Sequence, residues 1–360
     1  MDNYTLFTPG PVDIPDEINR EMNKPLIYHR ENRFAQLLDE IGNKLKQILQ
    51  TKNRIYFLTA SGTGAMEAAS TNILSANDEA LILVCGKFGE RWAEICDMHK
   101  IKTHIMKVEF GKTVTPDAVE AKLKTLNRPV VIFTTLTETS TGALSDIKAT
   151  GDIARRHDCL FVVDGIAGLA ADPCPQDEWY IDVLIGASQK AFMSPPGISF
   201  YSVNDRAYQK MMKDHLPNYY FSIELAEKYY QKGQTPFTPA INVLFAFRKG
   251  VDMIIDKGID KNLKNHREIG DFVRKRVKKM GLELLPEQPS NALTVFKMND
   301  NQDSTEIIRV VKERYNILFA NGQAELRGKI IRIGHMGNYT ISKLDGAINV
   351  MESVIKELRG

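Results

Sequence analysis

The stretch VLIGASQKAFMSPPG, residues 183–197, begins with an apolar run and places one lysine, Lys190, just beyond the end of that run. Short apolar runs rich in β-branched residues recur through the first two hundred residues and alternate with segments of helical period. The predicted strands are Arg54–Leu58, Ala80–Val84, Thr103–Val108, Val130–Thr135, Leu160–Asp164, Val183–Ala187 and Ile198–Val203. Strands that alternate with helices are joined by crossover connections. The pattern therefore predicts an α/β fold with a mainly parallel sheet of about seven strands.

The amphipathic segments between these runs predict helices that cover both faces of the sheet. They are Phe34–Leu49, Ala65–Leu74, Gly89–His99, Pro116–Leu126 and Lys148–His157. Beyond Asn204, residues 218–239 read as irregular or short helical structure, and residues 241–280 as one long helix followed by another. The remainder mixes strands with helices, namely Leu293–Phe296, Ile317–Phe319 and Ile330–Ile333 with Thr305–Tyr315 and Ser342–Leu358.

Three parts of the chain are expected from this pattern. Residues 1–19 are expected to form an N-terminal segment near the functional site and the small domain. Residues 20–254 form a large domain, and residues 255–360 a smaller C-terminal α+β domain.

The charge of the chain is nearly balanced, with 47 lysines and arginines against 45 aspartates and glutamates. Nucleic-acid-binding domains usually present a strongly basic face, and the basic run 261–279 reads instead as the polar face of an amphipathic helix. No apolar run reaches the roughly 18 residues that span a bilayer, and the first residues lack a secretory signal pattern. The four cysteines are too sparse for a disulfide framework and form no metal-binding pattern. We expect a cytoplasmic protein that binds neither nucleic acid nor a membrane.

Ligands of an open parallel sheet bind at the carboxyl ends of its strands. After the first predicted strand, residues 59–65 (Thr-Ala-Ser-Gly-Thr-Gly-Ala) combine glycines, hydroxyl groups and a helix N-terminus, which together form a phosphate cradle. The spacing of neither a Walker A loop nor a dinucleotide fingerprint is present. A plain helix cap is the alternative interpretation.

Two charged residues follow other predicted strands. Asp164 ends an apolar strand, where a buried carboxylate needs a partner such as a metal, a ribose hydroxyl or a protonated ring nitrogen. A helix-capping aspartate is the alternative. Lys190 lies in an apolar neighbourhood, which lowers the pKa of an amine and makes it a usable nucleophile or base; most lysines are only solvated surface charges. The polar loop 136–142 offers hydroxyl donors to a ligand, or is a plain turn.

These features together match what pyridoxal phosphate requires of a protein. The cradle anchors the phosphate, Asp164 keeps the pyridine nitrogen protonated, and Lys190 forms the Schiff base. Their order along the chain and their placement at strand ends support one another.

The chain resembles the class V (fold type I) pyridoxal-phosphate-dependent aminotransferases of the alanine–glyoxylate/serine–pyruvate group. The resemblance runs from residues 8–11 (Thr-Pro-Gly-Pro) to residues 331–334 (Ile-Arg-Ile-Gly), and its most specific motif is residues 188–191 (Ser-Gln-Lys-Ala) with residues 195–197 (Pro-Pro-Gly). It implies that Lys190 and Asp164 are catalytic. The cofactor-binding residues that it implies are Ser61, Gly62, Thr63, Phe88, Thr139, Asp164, Gln189, Lys190, Thr235 and Thr238.

The resemblance also implies a role for each of these side chains. Ser61, Gly62, Thr63 and Gln189 bind the phosphate. Phe88 stacks on the cofactor ring, and Thr139 bonds near its phenolic oxygen. Arg332 binds the substrate carboxylate, with Gly10 in the same substrate site. Thr235 and Thr238 match positions that reach the phosphate of the neighbouring subunit's cofactor, which implies a homodimer with shared sites. Residues 28–30 (Tyr-His-Arg) with Phe34 resemble a segment near the site entrance.

The expected reaction moves the amino group of a small amino acid (alanine, serine or aspartate) to glyoxylate or pyruvate by a ping-pong mechanism. The chain departs from the family pattern at residues 166–168 (Ile-Ala-Gly), where a serine is frequent, and at Phe88, where other members have tryptophan. One alternative is a 2-aminoethylphosphonate–pyruvate transaminase, although those enzymes typically have Asn-Lys where this chain has Gln-Lys. A desulfurase-type lyase needs a cysteine near the C-terminus, and the last one here is Cys174. A different class altogether is a non-enzymatic Rossmann-like nucleotide-binding module.

Overall fold

The computed structural model describes residues 4–299 and 301–358, and within this part of the chain a seven-stranded sheet forms the centre of the larger lobe. The strands are β1 (Thr5–Phe7), β2 (Arg54–Leu58), β3 (Glu79–Val84), β4 (Lys102–Lys107), β5 (Val131–Thr135), β6 (Thr137–Glu138), β7 (Ala143–Leu144), β8 (Leu160–Asp164), β9 (Val183–Ala187), β10 (Ser199–Val203), β11 (Leu293–Lys297), β12 (Ile317–Asn321) and β13 (Ile330–Gly334). The helices are α1 (Asp16–Glu21), α2 (Asn32–Leu49), α3 (Gly62–Ile73), α4 (Lys87–Met98), α5 (Pro116–Leu123), α6 (Ile147–Arg156), α7 (Asp205–Lys213), α8 (Ile223–Tyr230), α9 (Ile241–Lys257), α10 (Ile259–Lys279), α11 (Ser304–Tyr315) and α12 (Ile341–Glu357), with a short 3₁₀ turn at Ala324–Leu326.

The strands of the large sheet lie in the order β2-β10-β9-β8-β5-β3-β4. β10 runs antiparallel to both of its neighbours, and the pairs from β9 to β4 are parallel. The predicted α/β fold with a mainly parallel sheet is confirmed. In the register of the central strands, Asp164 at the end of β8 pairs with Thr135 of β5 and Ile185 of β9.

Helices cover both faces of this sheet, so consecutive residues of its strands enter two different apolar cores. In β8, Phe161 and Val163 pack into one core, while Val162 between them packs into the other. Burial on both faces explains why the central strands are continuously apolar instead of alternating with polar residues. The polar residues that do occur there lie at strand ends, where the site is found.

The C-terminal part of the chain forms a second sheet, with the strand order β1-β12-β13-β11. β1 from the beginning of the chain pairs in parallel with β12, and β13 lies antiparallel to β12 and β11. Helices α11 and α12 pack against each other, and α11 packs on β12. The segment after β1 thereby leads from the smaller sheet to the carboxyl end of the larger one.

Most predicted element positions agree with the structure to within a few residues, and β2, β8 and β9 have the predicted bounds. The elements β1, α1, β6, β7 and α7 have no counterpart among the predictions. The first four are too short for a hydrophobic period to show. Residues 1–3, 300, 359 and 360, which the predicted domain ranges include, lie outside the described residues.

The described residues contain neither a membrane-spanning helix nor a cluster of metal-binding side chains. In that part of the chain no helix is both long and apolar enough to cross a bilayer. Nor do three or more His, Cys, Asp or Glu side chains there form a group that could hold a metal ion.

Candidate active site

Lys190 lies in a tight loop between β9 and β10. Ser188 anchors this loop, because its N–H donates to the carbonyl of Ile198 at 2.9 Å and its hydroxyl to that of Pro195 at 2.6 Å. The Lys190 side chain is buried, and its Nζ donates a hydrogen bond of 2.6 Å to the carbonyl oxygen of Pro9. Burial lowers the pKa of the amine to about 8, with the cations Arg332 and Arg91 acting in the same direction and Asp164 opposing them. The amine can therefore lose its proton near neutral pH.

Asp164 is a buried carboxylate at the end of β8. Its Oδ1 accepts the N–H of Ile166 at 2.8 Å. Burial raises the pKa of Asp164 to about 7; the Ile166 hydrogen bond opposes this, the nearby Glu138 adds to it, and Lys190 lowers it. A cation placed beside Asp164 would recover the free energy that burial costs the ionised form.

The N-terminus of α3 faces the same cavity. Ser61 is its N-cap residue with extended backbone, and its side chain makes no capping hydrogen bond. Because the first N–H groups of a helix lack partners within the helix, residues 61–63 lie at a positive dipole end that suits an anion. Gln189 adds an amide there, whose Oε1 is buried without a hydrogen-bond partner in the described structure.

Phe88 lies in the first turn of α4, with its half-buried ring at the cavity. The guanidinium carbon of Arg91 lies 4.8 Å from the centre of this ring. Arg91 also donates to the hydroxyl of Thr63 at 3.1 Å, so it joins the start of α4 to the start of α3.

Arg332 of β13 and Thr139 of the large lobe are in direct contact. The Nη1 of Arg332 donates to the carbonyl of Thr139 at 3.0 Å, and its Nε donates to the carbonyl of Asn321 at 2.8 Å. Arg332 is 7% exposed, and burial lowers the pKa of its guanidinium to about 10. No carboxylate of the described residues pairs with it, so an anionic ligand would supply the missing charge.

One cavity, here called the Lys190 cavity, collects most of the predicted side chains. With its mouth it measures about 470 Å³ and is lined by Ser61, Gly62, Thr63, Phe88, Arg91, Thr137, Thr139, Asp164, Ile166, Ala167, Gln189 and Lys190. Gly10 borders it from the N-terminal segment, because a Cβ there would lie 2.4 Å from the Lys190 Nζ.

Thr235 and Thr238 do not line the Lys190 cavity. They line a separate cavity together with Phe57, Tyr220 and Phe237. The Thr235 hydroxyl donates to the carbonyl of Phe237, and that of Thr238 lies 3.5 Å from the ring nitrogen of His29. The predicted entrance segment, residues 28–30, therefore packs beside these threonines.

The residues present fit pyridoxal phosphate. The helix N-terminus at residues 61–63 suits a phosphate dianion. Because the Oε1 of Gln189 has no hydrogen-bond partner in the described structure, nothing at that atom prevents the side chain from turning its NH2 group toward the phosphate as a donor. The Asp164 carboxylate can pair with a protonated ring nitrogen, the Phe88 ring can stack on a flat ring, and the Lys190 amine can react with a carbonyl carbon.

The sequence did not reveal Glu138 or Arg91 as site residues. Glu138 is fully buried beneath the start of α4, where it accepts hydrogen bonds from the N–H groups of Phe88 and Gly89, both at 3.0 Å. The available signal was weak: a lone acidic residue in a hydroxyl-rich loop after β5. Arg91 follows Phe88 by three positions, the spacing that places two side chains on one helix face.

Fold and site together define a fold type I enzyme, and the comparisons identify its family. The chain matches the family model "Aminotransferase class-V" over residues 17–341 and belongs to that family. An uncharacterised aminotransferase of Methanocaldococcus jannaschii is 33% identical over 98% of this chain and 93% of that protein. The serine–glyoxylate aminotransferase of Hyphomicrobium methylovorum is 30% identical over 98% of this chain and 89% of that protein. The crystal structure of an alanine–glyoxylate aminotransferase from Nostoc sp. has a TM-score of 0.95 at 28% identity, covering 99% of this chain and 96% of that one.

Proposed function

We propose that this protein is a pyridoxal-phosphate-dependent transaminase that moves the amino group of a small amino acid, alanine, serine or aspartate, to glyoxylate or pyruvate. The observation that carries the proposal is the pairing of a buried amine, Lys190, with a buried carboxylate, Asp164, in one cavity beside a helix N-terminus. Both side chains are shielded from solvent. A cofactor with a carbonyl carbon for Lys190 and a protonated ring nitrogen for Asp164 would complement them.

When bound, pyridoxal phosphate supplies a carbonyl carbon for amines and a protonated ring that withdraws electrons from the substrate Cα. Lys190 would hold the cofactor through its amine and, once released from it, would act as the base that takes the proton of the substrate Cα onto its Nζ. An amine with a pKa near 8 is suited to both roles at neutral pH. Asp164 would be the ionised partner that keeps the ring nitrogen protonated.

Arg332 would select substrates with a carboxylate. Its guanidinium is held by two main-chain carbonyls, which fix its orientation without neutralising its charge. Arginine offers two parallel N–H groups to a carboxylate, a geometry that lysine lacks. The Arg332 guanidinium would also attract a phosphonate. The donor panel described below therefore includes 2-aminoethylphosphonate.

The active unit is proposed to be a homodimer in which Thr235 and Thr238 complete the partner's phosphate site. Large apolar side chains close to these threonines are exposed in the single chain, among them Tyr219 at 74% and Tyr28 at 64%. Exposed apolar surface of this kind commonly marks an interface. The cytoplasmic location stays a prediction from the sequence.

A panel of amino donors in half-reactions tests the proposed function. The purified protein is loaded with pyridoxal phosphate and mixed singly with alanine, serine, aspartate and 2-aminoethylphosphonate, and conversion to pyridoxamine phosphate is followed by absorbance. Conversion by at least one amino acid, reversed by glyoxylate or pyruvate, is the expected result. A protein that binds no pyridoxal phosphate, or converts none of the donors, would contradict the proposal.

A further inference from the structure

Glu138 lies between two parts of the site that are far apart in the sequence, the start of α4 with Phe88 and the side chain of Arg332. Each of its two carboxylate oxygens accepts two hydrogen bonds. Oε2 accepts the N–H groups of Phe88 and Gly89, while Oε1 accepts the N–H of Ser140 at 3.1 Å and its hydroxyl at 2.6 Å. The side chain is 0% exposed, so these four donors replace all of its water contacts.

Three of the four partners of Glu138 are backbone N–H groups, which can only donate, and this suits an ionised carboxylate. The fourth partner is the Ser140 hydroxyl, which donates to Oε1 in this arrangement. Burial raises the pKa of Glu138 above its usual value, and the hydrogen bonds from Ser140, Gly89 and Phe88 offset only part of this rise. The charge also complements the N-terminus of α4, where a helix favours an anion.

The loop and the helix meet without space between them. Gly86 precedes α4, and a Cβ there would lie 2.3 Å from the Ser140 Oγ and 2.6 Å from the carboxyl carbon of Glu138. The N–H of Lys87 donates to the same Ser140 Oγ at 3.1 Å. The first turn of α4, including Phe88, is therefore fastened to residues 138–140.

The same loop holds Arg332. The residue after Glu138 is Thr139, whose carbonyl accepts the Nη1 of Arg332. One turn of chain thus positions both the aromatic ring of Phe88, which lines the cavity, and the guanidinium of Arg332, which contacts the lining residue Thr139.

We propose that Glu138 is a positioning residue that sets Phe88 and Arg332 in one geometry, so that cofactor affinity and substrate affinity both depend on it. This inference rests on the proposed function of the Lys190 cavity. It assigns Glu138 no contact with substrate or cofactor. Its effect passes through the main chain of α4 on one side and through Thr139 on the other.

The experiment compares three variants by the dissociation constant of pyridoxal phosphate and the KM of the amino donor. Phe88→Ala should raise only the dissociation constant, and Arg332→Ala only the KM. Glu138→Ala should raise both, each by about 10-fold or more, because it leaves several buried donors without a partner. Glu138→Gln keeps one acceptor oxygen but turns an NH2 group toward the other pair of donors, so it should recover only part of the loss.

A matched control separates positioning from stability. Asp146 is an exposed N-cap carboxylate whose Oδ1 accepts the N–H of Ala149 at the start of α6, outside the residues lining the cavity. Asp146→Ala should lower the melting temperature and leave both constants unchanged. In the cofactor-free protein, amide hydrogen exchange at Phe88 and Gly89 should be faster in Glu138→Ala than in wild type or the control.

If Glu138→Ala does not fold, Ser140→Ala takes its place. It removes one donor to Oε1 and the acceptor of the Lys87 N–H, and it should raise both constants by about 3-fold or more. A Glu138 or Ser140 variant that changes only one constant, or neither, overturns the inference while the proposed function stands. A wild-type protein without pyridoxal phosphate binding overturns the proposed function, and the inference with it.

Discussion

The Nζ of Lys190 donates a hydrogen bond to the carbonyl oxygen of Pro9, a residue 181 positions earlier in the chain. The contact brings the segment after β1 directly over the reactive amine. Gly10 follows with φ of +112°, and a Cβ there would overlap Lys190 at 2.4 Å. Only glycine combines this backbone with this approach. The N-terminal segment therefore forms one wall of the site, and the amine must leave Pro9 to bind a cofactor.

Lys190 should be the residue that binds pyridoxal phosphate covalently. Reduction of the loaded protein with borohydride, followed by peptide mapping, should find the pyridoxyl group on Lys190, because it is the buried amine of the cavity. Lys190→Ala should show no adduct. Lys87→Ala is the matched control, since Lys87 lies near Phe88 but pairs with Glu90 at 2.9 Å. An adduct on another lysine in wild type would refute the assignment.

Asp164→Asn should slow the reaction far more than it weakens folding. Asparagine fills the same space but does not stabilise a protonated ring nitrogen, so we expect turnover to fall by about 100-fold or more. Steady-state kinetics with the best amino donor measure the effect, and thermal unfolding checks the fold. Unchanged turnover in this variant would contradict the role of the carboxylate.

The stability of the cofactor-free protein should depend on pH through Asp164. Its pKa is raised by burial from 3.8 to about 7, so the folded state binds this proton more tightly than the unfolded chain does. The free energy of unfolding therefore decreases, through this group, as pH rises from about 4 to about 7. Asp164→Asn lacks this titration, so its free energy of unfolding should rise relative to that of wild type by up to about 4 kcal/mol between pH 4 and pH 7. Urea unfolding between pH 4 and 8 tests this, and parallel curves for the two proteins would disprove it.

Sites shared between two subunits should allow complementation of inactive variants. Lys190→Ala lacks the reactive amine, and Thr238→Arg should block the partner's phosphate site. Mixed dimers then contain one site with both defects and one with neither, so activity should return to about one quarter of the wild-type value. Sedimentation of wild type should show a stable dimer. A fully active monomer, or a mixture without recovered activity, would exclude shared sites.

Arg332→Ala should weaken amino-acid use by about 10- to 100-fold or more, because charge-assisted hydrogen bonds are lost. Pyridoxal phosphate affinity should not change, since Arg332 is not among the residues lining the Lys190 cavity. The half-reaction rates of alanine, serine and 2-aminoethylphosphonate are compared between wild type, Arg332→Ala and Arg332→Lys. Arg332→Lys should recover little, since it lacks the paired N–H groups. If 2-aminoethylphosphonate is much the best donor of wild type, the phosphonate alternative replaces the carboxylate interpretation.

The strands and the two central groups of the cavity could be predicted from the sequence because their signals are local. β8 and β9 are continuous apolar runs, and a charged residue at or just after such a run can only lie at a strand end. Asp164 and Lys190 were found in this way. The family resemblance added Phe88, Gln189 and Arg332 through short motifs, which can be recognised in the sequence without knowledge of the tertiary structure.

What only the tertiary structure decided depends on contacts between distant residues. The carboxylate of Glu138 reaches Phe88 across 50 positions, and Arg332 reaches Thr139 across 193. The antiparallel direction of β10 and the pairing of β1 with β12 also belong to this group. Hydrophobic periodicity determines which face of an element is buried, but not which element lies against it. Once packing buries these groups, burial raises the pKa of Asp164 and lowers that of Lys190, a change that the residue types alone do not determine.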